Sequence, residues 1–332
     1  MPVRDTLKRP LRDLRISVTD RCNFRCPYCM PREVFGPGYP FLRDPQLMTL
    51  GELTRIARAF TALGVEKIRL TGGEPLLRPD VPELVRTLKH TLRVPDVALT
   101  TNGWLLEKSA PALKAAGLDR INVSVDSLNE ETAGRLNGLG FSTSRVLRGI
   151  DAAAAQGLPV KINCVLQRGV NDSEILALAA YFRERGHTLR FIEFMDVGTL
   201  NRWSRERVVP GDVVLERLRK LGTLEPLSKK HPGETSDNWA WSEGRGTVGL
   251  ISSVTRPFCG DCSRARLGAD GRLYTCLFSA AGHDLKTLLR SGAGVEEIST
   301  KLKAIWTGRS DRYSELRTDG RVKKVEMFAV GG

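Results

Sequence analysis

The sequence holds little histidine, four residues in 332, and few aromatic side chains, 6%. No apolar run is long enough to cross a bilayer, and Met1 to Asp13 is charged rather than leader-like. Neither a membrane span nor a secretory signal is expected, and the chain reads as cytoplasmic. No block of Lys and Arg interleaved with aromatic rings occurs, which argues against a groove for single-stranded nucleic acid. No internal repeat or low-complexity tract stands out. What is there is an ordinary globular composition, 41% hydrophobic and 27% charged, with a net charge of +13. That charge calls for an anionic partner, whether nucleic acid, an acidic membrane face or a small polyphosphate.

At this length one large α/β unit with a smaller companion is expected. Short β-type runs at Leu14–Thr19, Lys67–Thr71, Val97–Thr100, Arg120–Asp126, Val160–Leu166 and Leu189–Met195 alternate with amphipathic segments such as Leu50–Leu63, Leu105–Ala116 and Ile175–Arg185. Six βα repeats predict an incomplete (β/α)6 TIM-type barrel. Period-two alternation places Arg15, Ser17 and Thr19, then Lys67, Arg69 and Thr71, then Asn122, Ser124 and Asp126, then Lys161 and Asn163, on one polar face. A closed barrel packs its lumen with Val, Ile and Leu, so this face predicts a wet, ligand-filled lumen. An open antiparallel sheet would alternate in the same way, but the intervening helices argue against it. Beyond Met195 the pattern weakens into a loop at Val197–Arg207, a helix at Asp212–Leu221 and a polar, Gly-rich stretch at Ser228–Gly246. A domain change is expected here, dividing residues 1–208 from residues 209–332. The second part reads as an α+β extension closing the lumen, with a helix at Val295–Trp306.

Six of the seven cysteines fall into two groups, with Cys164 apart. Cys22, Cys26 and Cys29 follow the first strand, at the barrel end where active sites form. Three thiolates can hold three corners of a four-iron cluster and leave one iron open. Structural zinc wants four ligands, and His90, His187, His231 and His283 all lie far away in sequence. Cys259, Cys262 and Cys276 are spaced C-x2-C-x13-C, a pattern equally compatible with a cluster and with zinc completed by His283 or Cys164. Thr71-Gly-Gly-Glu-Pro75 ends the second strand; alone it reads as a βα turn, although glycine also admits close approach to a ligand. Met195 alone reads as core.

The CxxxCxxC pattern, with Tyr28 before its last cysteine, resembles the signature of the radical S-adenosylmethionine superfamily. The resemblance implies a [4Fe-4S] cluster on Cys22, Cys26 and Cys29, whose open iron chelates S-adenosylmethionine and cleaves it to a 5′-deoxyadenosyl radical. It assigns Gly72, Gly73 and Glu74 to the methionyl amino group, and Tyr28, Ser124 and Met195 to the rest of that cofactor. The run from Arg256 to Phe278, with Phe191–Gly198, Thr100–Gly103 and Gly331–Gly332, resembles one branch, the GTP 3′,8-cyclases of molybdenum cofactor biosynthesis, and the likeness spans nearly the whole chain. That branch implies a second [4Fe-4S] cluster on Cys259, Cys262 and Cys276 facing the guanine. It implies a triphosphate held by Arg15, Arg69, Thr100, Lys161, Arg264 and Arg266, and a terminal glycine pair reaching into the site. Taken singly, each of these cations reads as surface charge. The expected chemistry is removal of the ribose 3′ hydrogen of GTP and attack of the carbon radical on C8. Expected partners are GTP, a low-potential electron donor, cyclic pyranopterin monophosphate synthase as the next enzyme and a second copy in a homodimer, with no membrane and no nucleic acid. Ser263 and Gly268 stand where many relatives carry Asn and Thr, which bears on hydrogen bonding around the second cluster. The alternatives are a radical enzyme acting on a peptide or RNA base, and a basic zinc module that binds nucleic acid.

Overall fold

The computed structural model describes residues 2–317 and 324–331. Asp13–Ser17 (β1), Lys67–Thr71 (β2), Asp96–Thr101 (β3), Arg120–Ser124 (β4), Val160–Leu166 (β5) and Thr188–Glu193 (β6) pair in chain order, every neighbour parallel. Parallel pairing requires crossovers, and helices Leu50–Ala62, Leu106–Ala115, Thr143–Ala155 and Ile175–Glu184 supply most of them. The first is set by a capping box: the Thr49 hydroxyl accepts from the Glu52 N–H while the Glu52 carboxylate accepts from the Thr49 N–H. Its Leu53, Ile56, Ala57 and Phe60 are buried, as are Leu14, Ile16, Ile68, Leu70, Val97, Leu99, Ile121 and Val123 on the strands. Burying one strand face under helices leaves Arg15, Arg69 and Lys161 on the other, as the alternation predicts. Strand ends differ from expectation by one or two residues, so Thr19, Asp126 and Met195 sit on loops just past β1, β4 and β6.

The sheet continues after residue 208. Leu224–Leu227 (β7), Asp237–Trp241 (β8), Thr247–Ile251 (β9), Arg264–Leu267 (β10), Arg272–Tyr274 (β11) and His283–Asp284 (β12) join the same sheet, in the order β12-β11-β10-β1-β2-β3-β4-β5-β6-β9-β8-β7. β9 is parallel to β6 and β10 is parallel to β1, so the parallel run is eight strands wide. The stretch Ser228–Gly246 contains β8, which pairs antiparallel with β7 and β9. Its polar composition concealed a strand because only Trp241 is fully buried there. Helix Val295–Thr307, expected at Val295–Trp306, packs on Leu50–Ala62. No helix among the described residues is long and apolar enough to cross a membrane.

Candidate functional site

The loop after β1 curls tightly, with the N–H groups of Cys29 and Met30 donating to the Cys26 carbonyl at 2.9 and 2.7 Å. Burial, and then the neighbouring Glu74 carboxylate, pushes the Cys22 thiol up to about 12; burial and Cys22 push Cys29 up to about 12, and Cys26 is also raised, by burial first. Three bare thiolates are therefore disfavoured together, and a cationic metal group is the complement this donor set lacks. Among the described residues no three His, Cys, Asp or Glu side chains converge on a single-ion position. Thiolates sharing one zinc must come within about 4.6 Å of one another, twice the Zn–S bond, whereas each thiolate of a cluster takes its own iron. Three thiols on one loop suit a cluster that leaves one iron open.

The Gly-Gly-Glu-Pro turn is fastened to this loop: Gly73 N–H donates to Thr19 O and Glu74 N–H to Arg21 O, both at 2.8 Å. A Cβ at Gly72 would land on the Thr19 carbonyl and one at Gly73 on the Arg21 carbonyl. The chain's own loop demands both glycines, a reason the motif alone does not reveal. The buried Glu74 carboxylate accepts from Thr101 Oγ1 at 2.7 Å, Asn102 N at 2.8 Å and Leu76 N at 3.0 Å. Burial pushes it up to about 7 against those bonds. Tyr28 donates its hydroxyl to Asp126 Oδ2 at 2.6 Å, tying the loop to the end of β4, where Ser124 lies.

Below this end lies a cavity of about 440 Å³. All six residues expected to grip a triphosphate line it, together with Met195 and the cysteines of the second group; Cys22, Cys26, Cys29, Tyr28, Gly72, Gly73, Glu74 and Ser124 do not. The tail bridges the two regions. Phe328 packs on Met30 and Phe35 of the first loop, and its carbonyl accepts from Ser17 Oγ at 3.4 Å. The Gly331 carbonyl accepts from Arg15 at 3.3 Å and from Arg266. Gly332 lies outside the described residues.

The cavity is strongly cationic. Asp13 is engaged by Ser263 Oγ at 2.6 Å and Lys67 at 3.4 Å, and Asp96 by Arg120 at 2.7 and 2.9 Å. Glu234 accepts from Lys230 N and Asn238 Nδ2. Arg69 Nε and Arg190 Nε are buried with no partner. Burial, then the neighbouring cations, pushes Arg69 down to about 10, Arg190 to about 9, and Lys67 and Lys161 each to about 8. Such crowding favours an anionic guest. Arg190, Lys67 and Arg120 were not among the expected ligands. Arg190 follows the same alternation along β6, donating to Asn122 Oδ1 at 2.6 Å, and extending the polar row to that strand would have found it.

The second nest is built from a turn at Cys259–Asp261, then Cys262, and from Cys276 on a separate loop. Burial raises Cys262, but Arg264 and Arg309 outweigh it and hold the thiol down to about 6; Arg264 Nη2 lies 3.4 Å from its sulfur. Burial pushes Cys276 up to about 11. Neither fourth zinc ligand suggested by the sequence belongs to this nest. Cys164 is buried against Asp126 and Asn171, His283 is exposed on β12, and neither lines the cavity.

Residues 16–182 match the family model described as Radical SAM superfamily, and residues 187–315 the model described as Molybdenum Cofactor Synthesis C. A GTP 3′,8-cyclase from Acidothermus cellulolyticus is 52% identical over 95% of this chain and 89% of its own length. One from Staphylococcus saprophyticus is 46% identical over 99% of each, and one from Xanthomonas axonopodis pv. citri is 48% identical over 100% of this chain and 99% of its own. Among solved structures, Streptococcus suis SuiB bound to S-adenosylmethionine superposes with a TM-score of 0.63 at 15% identity, over 93% of this chain and 68% of that one, a likeness of fold. A loop of three thiols above a parallel barrel, a second triad inside it and this extent of identity place the chain in the GTP 3′,8-cyclase family of radical S-adenosylmethionine enzymes.

Proposed function

We propose that this chain converts GTP to (8S)-3′,8-cyclo-7,8-dihydroguanosine 5′-triphosphate in molybdenum cofactor synthesis. Residues 1–208 serve S-adenosylmethionine, and residues 209–332 carry a second cluster and part of the nucleotide site. One observation carries the reading: cations from β1, β2, β5 and β10, in excess of the carboxylates near them, share one cavity with the second cysteine triad. A buried crowd of like charges is costly when empty and is relieved by a polyphosphate.

When bound, a four-iron cluster on Cys22, Cys26 and Cys29 supplies the electron that cleaves S-adenosylmethionine to a 5′-deoxyadenosyl radical. Gly72, Gly73 and Glu74 hold the methionyl amino group, and Tyr28, Ser124 and Met195 border the remainder. Arg15, Arg69, Arg264 and Arg266 offer planar forks to phosphate oxygens, Lys161 a point charge and Thr100 a hydroxyl. Cys259, Cys262 and Cys276 would hold a second [4Fe-4S] cluster, whose open iron would supply a coordination site for the guanine. The enclosed lumen keeps water and stray hydrogens from the reacting carbon. A low-potential donor, cyclic pyranopterin monophosphate synthase downstream and a homodimer complete the proposal, resting on family membership.

The test is anaerobic reconstitution, then incubation with GTP, S-adenosylmethionine and a reductant, followed by chromatography with mass spectrometry. A cyclised nucleotide formed together with 5′-deoxyadenosine supports the reading. 5′-Deoxyadenosine with no GTP-derived product removes GTP as the substrate.

A further inference from the structure

Asp5, Arg9 and Arg309 form an ion cluster with side-chain exposures of 0, 1 and 1%. Asp5 Oδ2 accepts from Arg9 Nε at 2.6 Å and from Arg309 Nη1 at 3.2 Å, while Asp5 Oδ1 accepts from the Arg9 backbone N–H at 2.9 Å. Buried ion clusters are poor stabilisers, because apolar residues of equal volume commonly do as well or better. Both guanidinium groups also reach the second cysteine group, while Arg9 Nη2 is buried with no partner. Arg9 Nη1 donates to the Cys259 carbonyl at 2.7 Å, and Arg309 Nη1 to the Cys262 carbonyl at 2.7 Å. The same two side chains reach Asp311, Arg9 through its carbonyl at 2.7 Å and Arg309 through its carboxylate at 3.2 Å. Trp306 closes the assembly, its indole N–H donating to Arg9 O at 3.2 Å and its ring lying under the Arg309 guanidinium at 4.6 Å.

From this geometry we infer that Arg9 and Arg309, paired through Asp5, are positioning residues of the second metal centre, gripping the backbone of two of its cysteines. The inference rests on the reading of Cys259, Cys262 and Cys276 as a cluster site. Cys259–Asp261 is a single tight turn ahead of β10, and besides the two guanidinium groups it is held from outside by the Gly260 N–H donating to Glu315 Oε1 at 3.0 Å. Two guanidinium forks braced on one carboxylate fix where the carbonyls, and hence the thiol-bearing Cα atoms, stand. Outer partners of this kind orient metal ligands and set the charge around the centre. The first nest has no contact with these residues, so the effect is confined to the second.

The experiment counts iron and sulfide per chain after anaerobic reconstitution, and records the electron paramagnetic resonance change of the first cluster on adding S-adenosylmethionine. The wild-type chain is expected to hold about eight irons, two clusters of four. Arg9→Met and Arg309→Met are expected to hold about four, with the response to S-adenosylmethionine unchanged. That retained response shows the barrel intact, which a general loss of fold would not leave. Wild-type protein holding only about four irons overturns the two-cluster reading itself. Variants holding about eight overturn the positioning role alone. If the methionine variants do not fold, Arg9→Lys and Arg309→Lys carry the test. Each keeps a charge beside Asp5 but lacks the fork to reach a carbonyl as well, so about four irons supports the inference and about eight defeats it.

Discussion

The first nest draws three thiols from one unbroken loop of eight residues, while the second takes two from the turn at Cys259 and Cys262 and the third from Cys276. The first is closed by bonds between near neighbours and fastened to the turn after β2. The second leans on Arg9, some 250 positions away along the chain. Locality is what differs. A nest made by one loop is shaped mostly by its own bonds and by glycines that let another loop approach, whereas a nest gathered from afar needs buried charge to fix it. The first should therefore fail through its backbone and the second through its supports.

The largest expected effect separates the two. Cys26→Ala abolishes 5′-deoxyadenosine formation, whereas Cys276→Ala retains about four irons and loses only the GTP-derived product, as iron analysis and chromatography will show. Loss of all iron from Cys276→Ala would erase the independence of the nests. Next, Lys161→Ala weakens GTP binding by about 2 kcal/mol, roughly 30-fold, and leaves affinity for S-adenosylmethionine unchanged in calorimetry. Gly73→Ala drives a methyl onto the Arg21 carbonyl, which belongs to backbone and cannot swing aside; it should cost about 1–3 kcal/mol in denaturant unfolding. Equal stability would mean the first nest is looser than its bonds suggest.

The smallest effect is on pH. Lys67 and Lys161 titrate near 8 in the empty cavity, below their ordinary 10.5, so both are charged and attractive at pH 7 and half discharged at pH 8. GTP affinity should fall about threefold over that unit, and less in Lys161→Arg. Stability moves the other way. Between about 8 and 10.5 the unfolded chain binds more protons at these lysines than the folded one, so the ligand-free protein gains stability as pH rises through that window.

The barrel strands were legible to within a residue or two because βα alternation and period-two burial are local properties, visible at Ile68 and Leu70 or Ile121 and Val123. The polar row was legible for the same reason as far as Lys161 and Asn163. It stopped short of Arg190 because the sixth strand was read from Leu189, and Thr188, Arg190 and Ile192 were not tested as one face. β8 escaped because a ribbon with one wet face looks like a loop in composition. The pairing of β9 with β6 and of β10 with β1 has no local signature, since it depends on segments distant in sequence meeting at an edge. Nothing near Arg9 or Arg309 distinguishes them from surface cations; only the fold reveals that they are buried.

The late arrival of β9 and β10 has a consequence for biosynthesis. With Glu193 finished but Ile251 not yet made, β1 and β6 are both outermost, each offering a row of unsatisfied amide groups to any passing strand. At about 5–20 residues per second that exposure lasts roughly 3–12 s. A nascent chain halted in this interval presents two open flanks at once, each a template for pairing with another chain until the two flanking strands emerge.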